Sequence, residues 1–170
     1  RNASHGLGLA HAIACAGRWH QRDRARAPQR QAYRLVELQR FSEFLSQPLH
    51  IKPKYFPVAG DDAARLIVAV RQHDGDAAAM KITGAVLSAV WAQERNIADS
   101  QVLAALLSEQ GLPAARLEQA FSQSAQVAYE AYTQQAIDAG VFGAPSYVVD
   151  GEIFWGQDRL GFLERRLAQG

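Results

Sequence analysis

The backbone and side-chain groups of this sequence best placed to do chemistry lie in one stretch, Gly140 to Arg159, GVFGAPSYVVDGEIFWGQDR. Ala144–Pro145 comes first. X-Pro is the one place where a cis peptide is cheap. A cis bond here would turn the N–H and C=O of Ala144 outward, free to pair with a peptide-like ligand. The alternative is a trans proline opening an edge strand, the commoner state on proline statistics alone. Gln157, Asp158 and Arg159 close the stretch with an amide, an acid and a cation side by side. By residue type, Asp158 reads as a first-turn acid complementing a helix dipole, and Arg159 as half of a surface ion pair.

Little else in the sequence suggests a reacting centre. The histidines at 5, 11, 20, 50 and 73 are scattered, and no His/Cys/Asp/Glu cluster has metal-ligand spacing. Gly6-Leu7-Gly8 follows no strand, so it is not a dinucleotide loop. Cys15 is the single cysteine, which excludes an intrachain disulfide or a Cys-x-x-Cys redox pair. It reads as a buried structural thiol, in a protein of a reducing, cytoplasmic compartment.

The elements that must position the stretch can be read from its own pattern. Ser146–Val149 and Glu152–Trp155 are rich in β-branched and aromatic residues. Asp150-Gly151 between them supplies the two positive φ angles of a type I′ hairpin turn. Gly140 ends a preceding helix as a C′ glycine, and Gly143-Ala144-Pro145 forces an extended entry. Upstream lies a succession of helical stripes. Gln31–Leu45 puts Leu35, Leu38 and Phe41/Leu45 on one face. His50–Pro57 is a loop with Tyr55 and Phe56 as buried anchors. Asp61 or Asp62 caps a helix to about Arg71, and His73-Asp-Gly-Asp is a turn. Asp76 caps Ala77–Arg95, with Met80, Thr83, Val86/Leu87, Val90 and Trp91 facing inward. Asp99 caps Ser100–Gln110, Pro113 sits at a helix N1 position, and Ser124 caps a helix running to Gly140. Leu160, Leu163 and Leu167 form the inner face of a last helix. Residues 1–27 show no clear period.

Composition sets the frame. With 170 residues, 48% hydrophobic and 21% charged, the chain suits one globular domain with a proper core. No apolar run is long enough to span a bilayer, and no membrane association is expected. The net charge of +1 hides an asymmetry: residues 1–54 carry ten Lys/Arg against three Asp/Glu, and residues 55–170 carry eight against fourteen. The basic part suits either an anion or nucleic-acid site or a solvated arm. The arm is favoured, because no aromatic platform beyond Trp19 interleaves the arginines, and no nucleic-acid partner is expected.

The residues Gly140-Val141-Phe142-Gly143-Ala144-Pro145, then Val149-Asp150-Gly151, then Phe154-Trp155-Gly156-Gln157-Asp158-Arg159-Leu160 resemble the C-terminal half of a thioredoxin fold in its DsbA-like form. Within that group they are similar to 2-hydroxychromene-2-carboxylate isomerases and kappa-class glutathione transferases. The resemblance implies an α/β fold, thioredoxin-like with a DsbA-like helical insertion at about 61–140, as a single domain over 1–170. It also implies a cis proline, a glutathione cofactor, a homodimer, and a small aromatic oxo-acid substrate.

The implied glutathione-binding residues are Ala144 and Pro145, as the edge that pairs with the cysteinyl backbone, then Gln157, Asp158 and Arg159. Asp158 would accept from the γ-glutamyl ammonium, and Arg159 would clamp a carboxylate. Arg30 stands where the family has a glutathione-binding lysine, and Gln21 where it has an asparagine. Pro28, Tyr33, Glu37, Arg40 and Phe56-Pro57 continue the match. The family's thiol-activating serine, in an Asp-Phe-x-Ser-Pro-x-Ser-Tyr segment, has no counterpart in the sequence, so the first strand and that serine look truncated or replaced. The catalytic residue is therefore unassigned, and weak glutathione binding with poor turnover is expected. The implied activity is that of a glutathione-dependent isomerase of aromatic-hydrocarbon catabolism. Alternatives are a non-catalytic glutathione- or peptide-binding remnant and a DsbA-like protein-thiol oxidoreductase, the latter disfavoured by the single cysteine.

Overall fold

The computed structural model describes residues 27–169. Six helices and one hairpin follow in order: α1 (Pro28–Leu45), α2 (Asp61–Trp91), α3 (Ser100–Glu109), α4 (Ala115–Ala120), α5 (Gln123–Asp138), β1 (Ser146–Val149), β2 (Glu152–Trp155) and α6 (Leu160–Leu167). A short 3-10 turn, Gln157–Arg159, leads into α6.

Proline occupies the N-terminal turn of α1, where its missing N–H costs nothing. Ser46 closes the helix in the left-handed conformation. Leu35, Leu38 and Phe41 are half-buried as their spacing implies, while Leu45 is exposed and no residue of α1 is fully buried among the described residues. The loop after α1 is held to the far end of α2. The His50 amide donates to the Trp91 carbonyl at 2.7 Å, and the rings of Phe56 and Trp91 lie 4.5 Å apart. Tyr55 and Phe56 are half-buried rather than sealed.

The hydrophobic centre is built on α2. Leu66, Ile67, Val70, Ile82 and Val86 pack with Leu103, Leu106 and Leu107 of α3, Ala120 of α4 and Ala125 of α5. The expected turn at His73–Asp76 is a kink. Gly75 has φ 86° and ψ 178°, open only to glycine, between two helical halves. Each flank of the kink is tied by an arginine. Arg116 donates to both oxygens of Asp74 at 2.7 and 2.8 Å, and Arg71 Nε donates to Asp76 at 2.7 Å.

Several expected details differ. Met80 is 53% exposed, not inward. The buried stripe runs through Ala79, Ile82/Thr83, Val86 and Ala89/Val90, so Thr83, Val86 and Val90 face inward as expected while Leu87 is exposed. Alanines form the tight side of the helix contact. Asp61 and Asp62 lie in the first turn of α2 and Gly60 is its N-cap residue. The two carboxylates are engaged elsewhere, Asp62 with Arg65 and Asp61 with the Tyr129 hydroxyl. Asp99 does cap α3, accepting from Gln101 N–H at 2.8 Å. Pro113 precedes α4 rather than opening it, and Ser122, not Ser124, caps α5, accepting from Ala125 N–H at 3.2 Å.

β1 and β2 pair antiparallel, with Ser146 opposite Trp155 and Val149 opposite Glu152. Asp150 (φ 50°) and Gly151 (φ 81°) make the two-residue turn. Gly140 is left-handed at φ 73°, as a C′ glycine must be. The Arg166 guanidinium bonds Asp150 at 2.8 Å and approaches Glu152 at 3.6 Å, strapping α6 to the turn.

Candidate functional site at the hairpin entry

The loop Gly143-Ala144-Pro145 is built against β2. Gly143 is buried, and a Cβ there would run into the Trp155 indole. Phe142 meets Trp155 edge to face, with centroids 5.0 Å apart at 64°. Ser146 Oγ donates to the Gly143 carbonyl at 2.5 Å inside this packing. A glycine at 143 is therefore a requirement of close approach, and the small residue preceding Ala-Pro is the only sign of it in the sequence.

The Ala144–Pro145 peptide is cis, as is Phe56–Pro57. Ala144 is exposed, and neither its N–H nor its C=O has a backbone partner among the described residues. Unpaired backbone groups of this kind are what an extended ligand uses when it adds to a chain edge. The Pro145 carbonyl is used: Gly156 N–H donates to it at 3.0 Å. That bond brings the start of the 3-10 turn beside the proline. Gly156 has φ 111°, and the Asp158 carboxylate folds back over it, occupying the place of a Cβ.

Gln157, Asp158 and Arg159 are all exposed. Arg159 donates to Asp158 at 2.6 Å, so acid and cation are paired with each other. The amides of Gln157 and Asp158 have no backbone partner among the described residues. The structure thus brings five of the expected residues together at one end of the hairpin: Ala144, Pro145, Gln157, Asp158 and Arg159. Arg30 stands apart, exposed in the first turn of α1, with no side-chain bond to the hairpin among the described residues. Gln21, Cys15 and the histidines at 5, 11 and 20 lie outside the described residues. No group of His, Cys, Asp and Glu suited to a metal ion occurs among the described residues.

A family model described as a DSBA-like thioredoxin domain matches residues 9–168. The chain belongs to that family. This DSBA-like thioredoxin domain has curated relatives. It is 30% identical over 139 residues to a 2-hydroxychromene-2-carboxylate isomerase of Pseudomonas putida, covering 81% of this chain and 65% of the relative. It is 32% identical over 135 residues to one from Pseudomonas sp. (strain C18), covering 78% of this chain and 60% of the relative. The chain therefore spans just under two thirds of the length of these relatives.

Solved structures agree on the fold. A 2-hydroxychromene-2-carboxylate isomerase superposes with a TM-score of 0.65 at 22% identity, covering 96% of this chain and 91% of that one. The cytosolic disulfide reductase DsbM from Pseudomonas aeruginosa gives 0.57 at 22% identity over 78% and 74%. The architecture is the DsbA-like thioredoxin fold, rich in helix with a small sheet. Among the described residues no helix is long and apolar enough to cross a membrane.

Proposed function

We propose that this chain is a glutathione-dependent isomerase acting on a 2-hydroxychromene-2-carboxylate or a closely similar aromatic oxo acid. The curated relatives named for that activity motivate the substrate class. One structural observation carries the cofactor: an exposed peptide edge at Ala144 beside the Asp158–Arg159 pair, joined through the bond from Gly156 N–H to the Pro145 carbonyl.

The groups present suit a tripeptide with two carboxylates and one ammonium. Ala144 offers one donor and one acceptor to an extended backbone. Asp158 suits the ammonium, and the Arg159 guanidinium suits a carboxylate, the Arg159–Asp158 bond exchanging for bonds to the ligand. Bound there, glutathione would supply a sulfur nucleophile for reversible addition to a conjugated carbon of the substrate. The protein's own part is to fix the tripeptide and to flank the reacting ring. Phe142 and Trp155 border the edge with half-open aromatic surface.

Two measurements on the purified chain test this. Calorimetric titration with glutathione should show heat. Replacing Asp158→Asn or Arg159→Ala should weaken binding by about tenfold, the effect of one hydrogen bond to a charged group. An absorbance assay should show isomerisation of the chromene carboxylate only when glutathione is added. No heat at millimolar glutathione from a folded sample would remove the cofactor. Binding without turnover would favour the second reading, a glutathione- or peptide-binding module, which rests on the same open edge at Ala144.

A further inference from the structure

Two polar side chains are buried among the described residues, Thr83 and Ser146. Each hydroxyl donates to a carbonyl, but the two bonds differ in what they hold. Thr83 donates to Ala79, one turn back in α2, at 2.7 Å, as helical threonines commonly do. Ser146 donates at 2.5 Å to Gly143, in the irregular loop that carries Ala144 and the cis proline. Among the described residues no backbone N–H reaches that carbonyl, so the hydroxyl is its partner.

The bond acts on more than the carbonyl. A peptide unit is planar, and in its trans form the C=O and the N–H point in opposite directions. The Gly143–Ala144 peptide is trans, since the cis bonds of the described residues are Phe56–Pro57 and Ala144–Pro145. Its C=O is drawn inward to Ser146, so its N–H, that of Ala144, points away from Ser146. Gly143 has no side chain to restrict rotation of this plane. The Trp155 ring bars a Cβ and so holds the place of Gly143, but it does not fix the tilt of the carbonyl.

We infer that Ser146 is a positioning residue for the exposed edge: its hydroxyl locks the Gly143–Ala144 plane so that the Ala144 N–H is aimed at a backbone carbonyl of the bound tripeptide. The ligand in this role is the one proposed above, and the role rests on that reading, whereas the locking belongs to the chain alone. At 6% exposure Ser146 is out of the ligand's reach. It acts through the peptide plane, removing before binding a rocking motion that the ligand would otherwise have to freeze.

The test compares the native chain with Ser146→Ala, Ser146→Thr and Ser146→Val, the last two alike in shape and different in the hydroxyl. Nitrogen-15 relaxation of the ligand-free proteins reads the Ala144 amide directly. Its order parameter should be about 0.85 in the native and Ser146→Thr proteins and below about 0.6 in Ser146→Ala and Ser146→Val. The amides of β1 and β2 should keep their native values, which a general loosening of the hairpin would not allow. Calorimetric titration with glutathione, run below the melting range of every variant, should show binding weakened about three- to tenfold in Ser146→Ala and Ser146→Val, and close to native in Ser146→Thr. Where the bulkier pair does not fold, the native and Ser146→Ala proteins carry the comparison. An Ala144 order parameter unchanged in Ser146→Ala would overturn the locking. Native-like glutathione affinity in Ser146→Ala would overturn the positioning role. An absence of heat from the native protein would remove glutathione as the ligand, and the relaxation comparison would then decide alone whether Ser146 fixes the edge.

Discussion

Gly143 shows how one side chain's absence shapes the candidate site. The Trp155 indole occupies the space a Cβ would need, and the neighbouring Phe142 meets the same indole edge to face. Gly143→Ala should displace the indole and destabilise the protein by about 1–3 kcal/mol, as overpacking a close contact does. Tryptophan emission should report the displacement by shifting to longer wavelength. An unchanged spectrum and melting temperature would mean that the loop yields freely.

Asp74 and Arg116 form the best-made ion pair of the described residues, bidentate and largely shielded from solvent. The hydrogen bond from Arg116 holds the Asp74 carboxyl below its usual value of 3.8. It outweighs burial, which pushes the other way, and the charges of Arg116 and His73 add to it. Arg116 is shifted upward in turn, first by its bond to Asp74. A carboxyl depressed in the folded state contributes stability that is complete above its unfolded value and lost as pH falls through the folded one. Asp74→Asn should therefore lower the melting temperature by about 2–4 °C at neutral pH, the shift expected for one charged hydrogen bond in a domain of this size. The difference should begin to shrink as pH falls past the usual 3.8 and vanish only once it has passed through the lower, folded value. A gap that stays constant into acid would show that the pair is not titrating there.

At the scale of elements, the kink in α2 sets the direction of its second half and so the wall on which α3 and α4 pack. Nothing lies within 4 Å of a Cβ built on Gly75, so its need for glycine comes from backbone conformation alone. Gly75→Ala should cost about 1–3 kcal/mol, the penalty of holding a side-chain-bearing residue in that region. Chemical denaturation checks this, and a loss near zero would mean that the helix had straightened to accommodate the alanine.

The hairpin was legible residue for residue, because Asp-Gly between two four-residue apolar strands has few other uses. Gly140 and Asp99 marked helix ends for the same reason: each meets the needs of the backbone at one helix terminus. The burial phase of α2 was legible at Thr83, Val86 and Val90, which are buried as expected, and was missed at Met80 and Leu87, which are exposed. Its inner face is made by Ala79 and Ala89 as much as by Val86, and small residues carry little weight when a stripe is traced through large ones. The capping role of Ser122 over Ser124 turned on where α4 stops, which tertiary contact decides. In the candidate site, five residues could be placed together because they sit at the two open ends of one hairpin. The hold of Trp155 on Gly143 depends on side-chain packing that no spacing encodes.

Taken whole, the described part of the molecule has its hydrophobic centre in the helices, around Leu66, Leu106 and Leu107, and its candidate site at the margin of the hairpin. Leu106→Ala should cost about 2–5 kcal/mol through lost burial and the cavity left behind. If helices and hairpin unfold as one unit, far-ultraviolet ellipticity and tryptophan emission should lose stability together in the variant. Separate transitions would show that the hairpin end opens independently of the helical centre.

The turn at Asp150–Gly151 stands at the opposite end of the hairpin from Pro145 and Gly156, about 13 Å away along four strand residues. Arg166 reaches it from α6. A fluorophore or spin label carried in that turn would be well sited as a reporter. It would sense the position of α6 through Arg166 while leaving the proline loop as it was.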